Sequence, residues 1–190
     1  PITPSSEIME YMVKYAPAEG GVMLQTEDEI SACTMAIGAA YAGARAFTAT
    51  AGPGLSLMAE AIGLAEMTET PLVVIDTQRG GPSTGLPTKH EQSDLMAAIY
   101  NTHGDTAKIV ISPSSIEESF YDTFEAFNLA EEYQCPVIVL SDLQLSLGKQ
   151  SVTSLDYGKL QVRRGKLVKD GLPEIKSPEY FKPVSYTHLT

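Results

Sequence analysis

Apolar residues along this 190-residue chain follow two rhythms. Five short runs rich in β-branched residues, at 21–25, 45–50, 72–77, 108–112 and 137–141, are nearly continuous rather than alternating. That is the pattern of strands covered on both faces, as in a parallel sheet. The segments between them follow a helical period. Residues 5–15 follow Pro4, put Ile8, Met9, Met12 and Val13 on one stripe, and offer Ser5 or Ser6 as a cap. Residues 27–41 open on Glu27, Asp28 and Glu29, acids that suit a helix N-terminus, and then turn to small residues. Further helices are predicted over 55–66, after Gly52-Pro53-Gly54, over 91–100, and over 114–133 after Pro113. Strands alternating with helices predict an α/β fold, a three-layer doubly wound parallel sheet with helices on both faces. Ligands of such sheets sit beyond the C-terminal strand ends. The loops to read are therefore 26–29, 51–54, 78–85 and 142–147, with residues 2–5 at the same rim.

Composition narrows the possibilities. With 13 basic and 24 acidic residues the formal charge is −11, which argues against a nucleic-acid surface. No run of about 18 apolar residues offers a membrane span, and no basic segment followed by an apolar one opens the chain as a signal peptide would. Cys33 and Cys135 are too few and too far apart for an iron–sulfur cluster or a disulfide scaffold, so a cytoplasmic setting is expected. Residues 1–150 hold 20 of the acids, whereas Lys159, Arg163, Arg164, Lys166 and Lys169 crowd a Gly- and Pro-rich stretch. Residues 1–150 read as the domain and 151–183 as a linker leading into a following one, with a basic docking strip as the alternative. Residues 184–190 read as a non-native read-through tail, and His188 carries no functional weight. A fold of this kind that opens with a strand would lack it here.

Four features at the rim carry chemistry. In Glu27-Asp28-Glu29 the acids complement the helix dipole, or one of them is desolvated by a helix of small residues (Ala32, Ala36, Gly38, Ala39, Ala40) and holds a proton near neutral pH. Arg79 ends the most apolar strand and precedes a flexible Gly80–Gly85 loop; it forms a structural salt bridge or a carboxylate or phosphate site. Gly52-Pro53-Gly54 is a tight turn or a place where a ligand approaches the backbone; it lacks the residues of a phosphate loop. The Thr3, Ser5 and Ser6 hydroxyls cap a helix or face the site. His90 and His103 have no second ligand at metal spacing, and no Ser/His/Asp nucleophile motif is present.

The segments PITPSSEI (1–8), QTEDEISACTMAIGAAYAGARAFTATAGPGLSLM (25–58), MTETPLVVIDTQRGGPSTGLPTKHEQSDL (67–95) and THGD (102–105) resemble the α subunit of 2-oxoacid:ferredoxin oxidoreductases, in particular the 2-oxoglutarate branch. The resemblance covers residues 1–183. It implies the pyrimidine-binding domain of a thiamine diphosphate enzyme, with Pro1 just inside its first strand–loop. It implies oxidative decarboxylation of a 2-oxoacid, with coenzyme A as acyl acceptor and ferredoxin reduced. Pyruvate or branched-chain 2-oxoacids are alternative substrates within the family, and a non-catalytic scaffold or small-anion binding subunit is the alternative outside it. The family's cofactor-activating glutamate falls on Glu29, nine residues before Gly38 as in thiamine diphosphate enzymes; such a carboxylate shares a proton with the aminopyrimidine ring. Thr3 falls on the substrate-contacting threonine and Arg79 on the arginine that holds the 2-oxoacid carboxylate. Gly52, Pro53 and Gly54 fall on the loop near the pyrimidine, although the family's usual serine is replaced by Ala51. The resemblance further implies a β subunit that carries Mg²⁺, the diphosphate and a 4Fe–4S cluster, and possibly a γ domain or subunit. This chain would be inactive without the β subunit.

Overall fold

The computed structural model describes residues 2–166. In chain order the elements are α1 (Ser6–Tyr15), α2 (Glu29–Tyr41), β1 (Phe47–Thr50), α3 (Gly52–Leu57), α4 (Ala59–Met67), β2 (Leu72–Gln78), α5 (Leu95–Tyr100), β3 (Ile109–Ile111), α6 (Ile116–Tyr133), β4 (Pro136–Asp142) and α7 (Leu143–Leu147). Four strands form one parallel sheet in the order β1-β2-β4-β3. Its register sets Thr50 beside Asp76 and Gln78 beside Asp142, so the strand ends share one rim.

Alternation along the central strands explains the layers. Leu72 and Val74 of β2, with Ile138 and Leu140 of β4, pack against Cys33, Ile37, Leu55, Met58, Ala61 and Ala98 from α2 to α5. Val73, Ile75, Val137 and Val139 point the other way, against α6 and Ile8 of α1. Every residue of β2 is buried, and each Val or Leu buried in this way contributes about 1.5–3 kcal/mol. The layered α/β sheet expected from the pattern is what the chain forms.

Several boundaries differ from expectation, each for a local reason. Residues 21–25 pair with no strand among the described residues, because an apolar groove of about 510 Å³ separates them from the edge of β1. A strand needs a neighbour about 4.8 Å away, and hydrophobic patterning alone cannot supply one. The helix expected over 55–66 starts earlier, at Gly52, with Pro53 in the first turn where a missing N–H costs nothing, and divides at Met58. Residues 91–94 stay outside α5 because their polar groups are used elsewhere. Glu91 accepts the Gly81 N–H, Gln92 donates to Asp142, and the Asp94 N–H donates to Gln78. Helix α6 begins at a cap in which Ser115 accepts the Glu118 N–H, while the Glu118 carboxylate accepts from the Ser114 N–H and hydroxyl. Ser5 precedes α1 but caps nothing; its hydroxyl donates to the Ile2 carbonyl at 2.7 Å.

Arg163 and Arg164 of the basic stretch lie along α6, forming ion pairs with Glu125, Glu132 and Glu131. Backbone contacts of Gln161 and Arg163 with the buried Asn128 side chain reinforce this docking. Residues 167–183 of the expected linker and the 184–190 tail fall outside the described residues.

Candidate active site

The carboxyl-end rim gathers the side chains singled out from the sequence. Of the three acids at the start of α2, Asp28 is the one that caps the helix. It accepts the Ser31 N–H at 2.7 Å, and that bond holds its carboxyl below the usual range. Glu29 is thereby released from helix capping. It is half-buried, and its carboxyl accepts no hydrogen bond from the described residues. Its Cγ lies where a Cβ on Gly54 would come within 2.7 Å, and the Thr50 hydroxyl would lie only 1.9 Å away. Only glycine lets the turn come this close to Glu29, so Glu29 and Gly54 meet at the rim. The small residues of α2 divide in role. Cys33, Ala36, Ile37 and Ala40 pack on the core, whereas Gly38 has open space where a side chain would stand among the described residues.

The two arginines of residues 1–150 part company in their partners. Arg45 is structural: its guanidinium pairs with Glu131 at 2.6 Å and donates to Asn128 and the Arg163 carbonyl. Arg79 is 5% exposed and has no carboxylate partner among the described residues. Its guanidinium donates to the carbonyls of Thr3 at 2.6 Å and Thr84 at 2.7 Å, and its buried Nε has no partner. Of five N–H donors only part is used. A buried cation without a counter-charge is costly, so this position suits an anionic group of small size. Among the described residues, then, Arg79 lacks the salt bridge that Arg45 makes. The bond to the Thr3 carbonyl also places Thr3, which is exposed, beside Arg79.

The 80–85 loop is pinned rather than flexible. Gly80 and Leu86 form an antiparallel bridge, the Gly80 N–H donates to the Lys89 carbonyl, and the Gly81 N–H donates to Glu91. Gly85 takes φ +59°, and a Cβ there would strike the Gly80 carbonyl. Thr84 is therefore presented to Arg79 by a closed loop. His90 lies 3.7 Å from Asp142, and no cluster of three or more His, Cys, Asp or Glu that could hold a metal is found among the described residues.

Two residues of the site escaped the sequence reading. Asp76 is completely buried in β2, and Asp94 packs against Gly52, whose Cβ would come within 2.7 Å of its Oδ2. The signal in the sequence is a lone acid at the end of the apolar run Leu72-Val73-Val74-Ile75.

Comparison with known proteins places the chain in a family. Residues 1–186 match the family described as pyruvate flavodoxin/ferredoxin oxidoreductase, thiamine diP-bdg. The chain is 50% identical over 185 residues to the 2-oxoglutarate synthase subunit KorA of Methanothermobacter thermautotrophicus, covering 97% of this chain and 47% of that one. It is 45% identical to the 2-oxoglutarate oxidoreductase subunit KorA of Mycobacterium tuberculosis, covering 91% of this chain and 26% of that one. Its fold overlays the solved 2-oxoglutarate:ferredoxin oxidoreductase of Magnetococcus marinus, which has 2-oxoglutarate, coenzyme A and succinyl-CoA bound. The TM-score is 0.87 at 47% identity, over 91% of this chain and 30% of that chain. The chain thus spans half or less of the length of these relatives. With the match running over almost all of its residues and the fold shared, the chain belongs to the thiamine diphosphate-binding pyruvate flavodoxin/ferredoxin oxidoreductase family.

Proposed function

We propose that this chain is part of the α subunit of a 2-oxoacid:ferredoxin oxidoreductase that converts 2-oxoglutarate and coenzyme A to an acyl-CoA and CO₂ while reducing ferredoxin. Residues 1–150 form its pyrimidine-binding unit, and 151–183 lead toward a following domain. The observation that carries the reading is Arg79, a buried guanidinium with carbonyls for partners and no acid among the described residues, joined to Thr3 at the rim. It receives the 1-carboxylate shared by every 2-oxoacid, with Thr3 beside it. The residues at hand fit thiamine diphosphate: Glu29 presents, beside the Gly54 end of the turn, a carboxyl free of donors among the described residues. Glu29 would hold a proton against the aminopyrimidine nitrogen, and the Gly52-Pro53-Gly54 turn would flank the ring. When bound, the cofactor supplies the electron sink that decarboxylation of a 2-oxoacid requires. The diphosphate, Mg²⁺ and a 4Fe–4S cluster belong to a β subunit, with a γ domain or subunit as a further partner and ferredoxin as acceptor, in the cytoplasm. Two buried cysteines in this chain accord with a cluster held elsewhere.

The test is viologen reduction by the full-length subunit purified with its β partner, given thiamine diphosphate, coenzyme A and a panel of 2-oxoacids. Preference for 2-oxoglutarate supports the reading in full. Preference for pyruvate or branched 2-oxoacids keeps the chemistry and moves the substrate. No turnover from a complex loaded with cluster and cofactor contradicts it.

A further inference from the structure

Strand β2 carries a fully buried acid near its carboxyl end. Asp76 lies on the face that Leu72 and Val74 turn toward α2–α5, is 0% exposed, and neither of its oxygens meets a donor among the described residues. Its neighbours in register, Thr50 on β1 and Leu140 on β4, carry no charge. The acid that acts on it is Asp94, the residue before α5, whose Oδ2 is buried beside Gly52. The Asp94 Oδ2 likewise has no protein donor. Two ionised carboxylates cannot hydrogen-bond, since each only accepts. In contact and out of water, such a pair holds together when one of the two carries a proton. Burial, then the Asp94 charge, push Asp76 well above the usual carboxyl range; burial also raises Asp94, while the bond from Asp76 opposes that rise.

The pair adjoins the turn at the rim. The Asp94 N–H donates to Gln78 Oε1 at 2.9 Å, and Gln78 Nε2 donates to the Ser141 carbonyl at 3.1 Å, tying Asp94 to the ends of β2 and β4. Thus fixed, the Asp94 carboxyl lies against Gly52, as Glu29 lies against Gly54. The Gly52-Pro53-Gly54 turn is wedged between two acidic side chains, one of them backed by a buried acid.

We propose that Asp76 and Asp94 share one proton behind the turn and act as positioning residues, bracing its Gly52 side while Glu29 occupies its Gly54 side. The positioning role rests on the cofactor site proposed above; the shared proton does not. Among the described residues, Glu91 acts on Asp94 from the segment before α5, and Glu29 of α2 lies across the turn.

The experiment uses the full-length subunit with its partner subunits and reads two quantities: melting temperature from pH 5 to 9, and thiamine diphosphate affinity by direct titration. Because the Asp76 pKa is raised on folding, its contribution to stability is present at low pH and lost as pH rises through the folded value. Asp76→Asn supplies a permanent N–H to Asp94 and does not titrate. Its melting temperature should match wild type at pH 5 and exceed it at pH 9 by roughly 2–4 °C. Asp94→Ala should weaken cofactor binding about tenfold or more, while Asp76→Asn stays within about twofold of wild type. Asp94→Ser, read in the same way, serves if Asp94→Ala does not fold. A melting temperature for Asp76→Asn lowered equally at every pH overturns the shared proton. Wild-type affinity in the Asp94 variants overturns the positioning role. If the wild-type complex takes up no thiamine diphosphate, the proposed cofactor site and the positioning role fall together, while the pH comparison still decides the proton.

Discussion

At the rim Gly54 closely approaches Thr50 and Glu29, and this makes Gly54→Ala a quantitative probe. A methyl there would stand 1.9 Å from Thr50 Oγ1 and 2.7 Å from Glu29 Cγ, both far inside van der Waals contact. Thr50 is fully buried and its hydroxyl bonds the Ala51 carbonyl, so it has no solvent to swing into. Overpacking of this kind costs about 1–3 kcal/mol. Alanine's better helix propensity in α3 returns at most about 1 kcal/mol. The net loss is about 1–2 kcal/mol, or roughly 3–6 °C in melting temperature for a domain of this size. Thr50→Ala removes the nearer atom, so the double variant should be less damaged than the two single effects summed, with a coupling of at least about 0.5 kcal/mol. Urea unfolding of the full-length subunit, followed by circular dichroism, measures all three. An unchanged midpoint for Gly54→Ala, or strict additivity in the double variant, refutes the close approach. Gly63→Ala is the matched control: nothing lies within 4 Å of its would-be Cβ inside α4, and it should gain about 0.5–1 kcal/mol.

Three other outcomes follow from the same contacts. Arg79→Met in the assembled enzyme should raise KM for the 2-oxoacid at least about tenfold, consistent with loss of a charge-assisted carboxylate contact; an unchanged KM contradicts the anion site. Arg45→Met should destabilise the fold by about 2–3 kcal/mol, below the ~3–5 kcal/mol of a buried acid left wholly unpaired, because Arg164 still contacts Glu131; thermal unfolding measures it. Burial pushes the Cys33 thiol up to about 12 and raises that of Cys135, so neither should react with a thiol reagent at pH 8 until the chain is unfolded, as absorbance at the released thiolate will show.

What could be read from the chain, and what could not, divides along a physical line. The continuous apolar runs at 72–77 and 137–141 carry their own evidence of double burial, and they became the two central strands, β2 and β4. Residues 21–25 have the same character, but a strand is defined by its neighbour, and the groove beside β1 leaves them none among the described residues. The start of α5 differs from the periodic pattern because Glu91, Gln92 and Asp94 answer to Gly81, Asp142 and Gln78, contacts that no local periodicity encodes. Arg79 was legible as one of two options, and the choice needed its partners. The glycines of the 80–85 loop suggest flexibility, whereas Gly85 is there to allow a closed turn. Asp76 was visible as an acid among valines, yet only the approach of Asp94 gives that acid a reason.

The central claim is that Glu29 handles the proton through which thiamine diphosphate is activated. Its most direct test is the exchange rate of the cofactor C2 proton, followed by NMR after quenching in deuterium oxide. The assembled enzyme would be compared as wild type and as Glu29→Gln, with melting temperature measured alongside. Exchange slowed at least about 100-fold with melting preserved is the predicted result, in line with the removal of a positioned acid–base group. Exchange at the wild-type rate in a folded, cofactor-loaded variant would contradict the account.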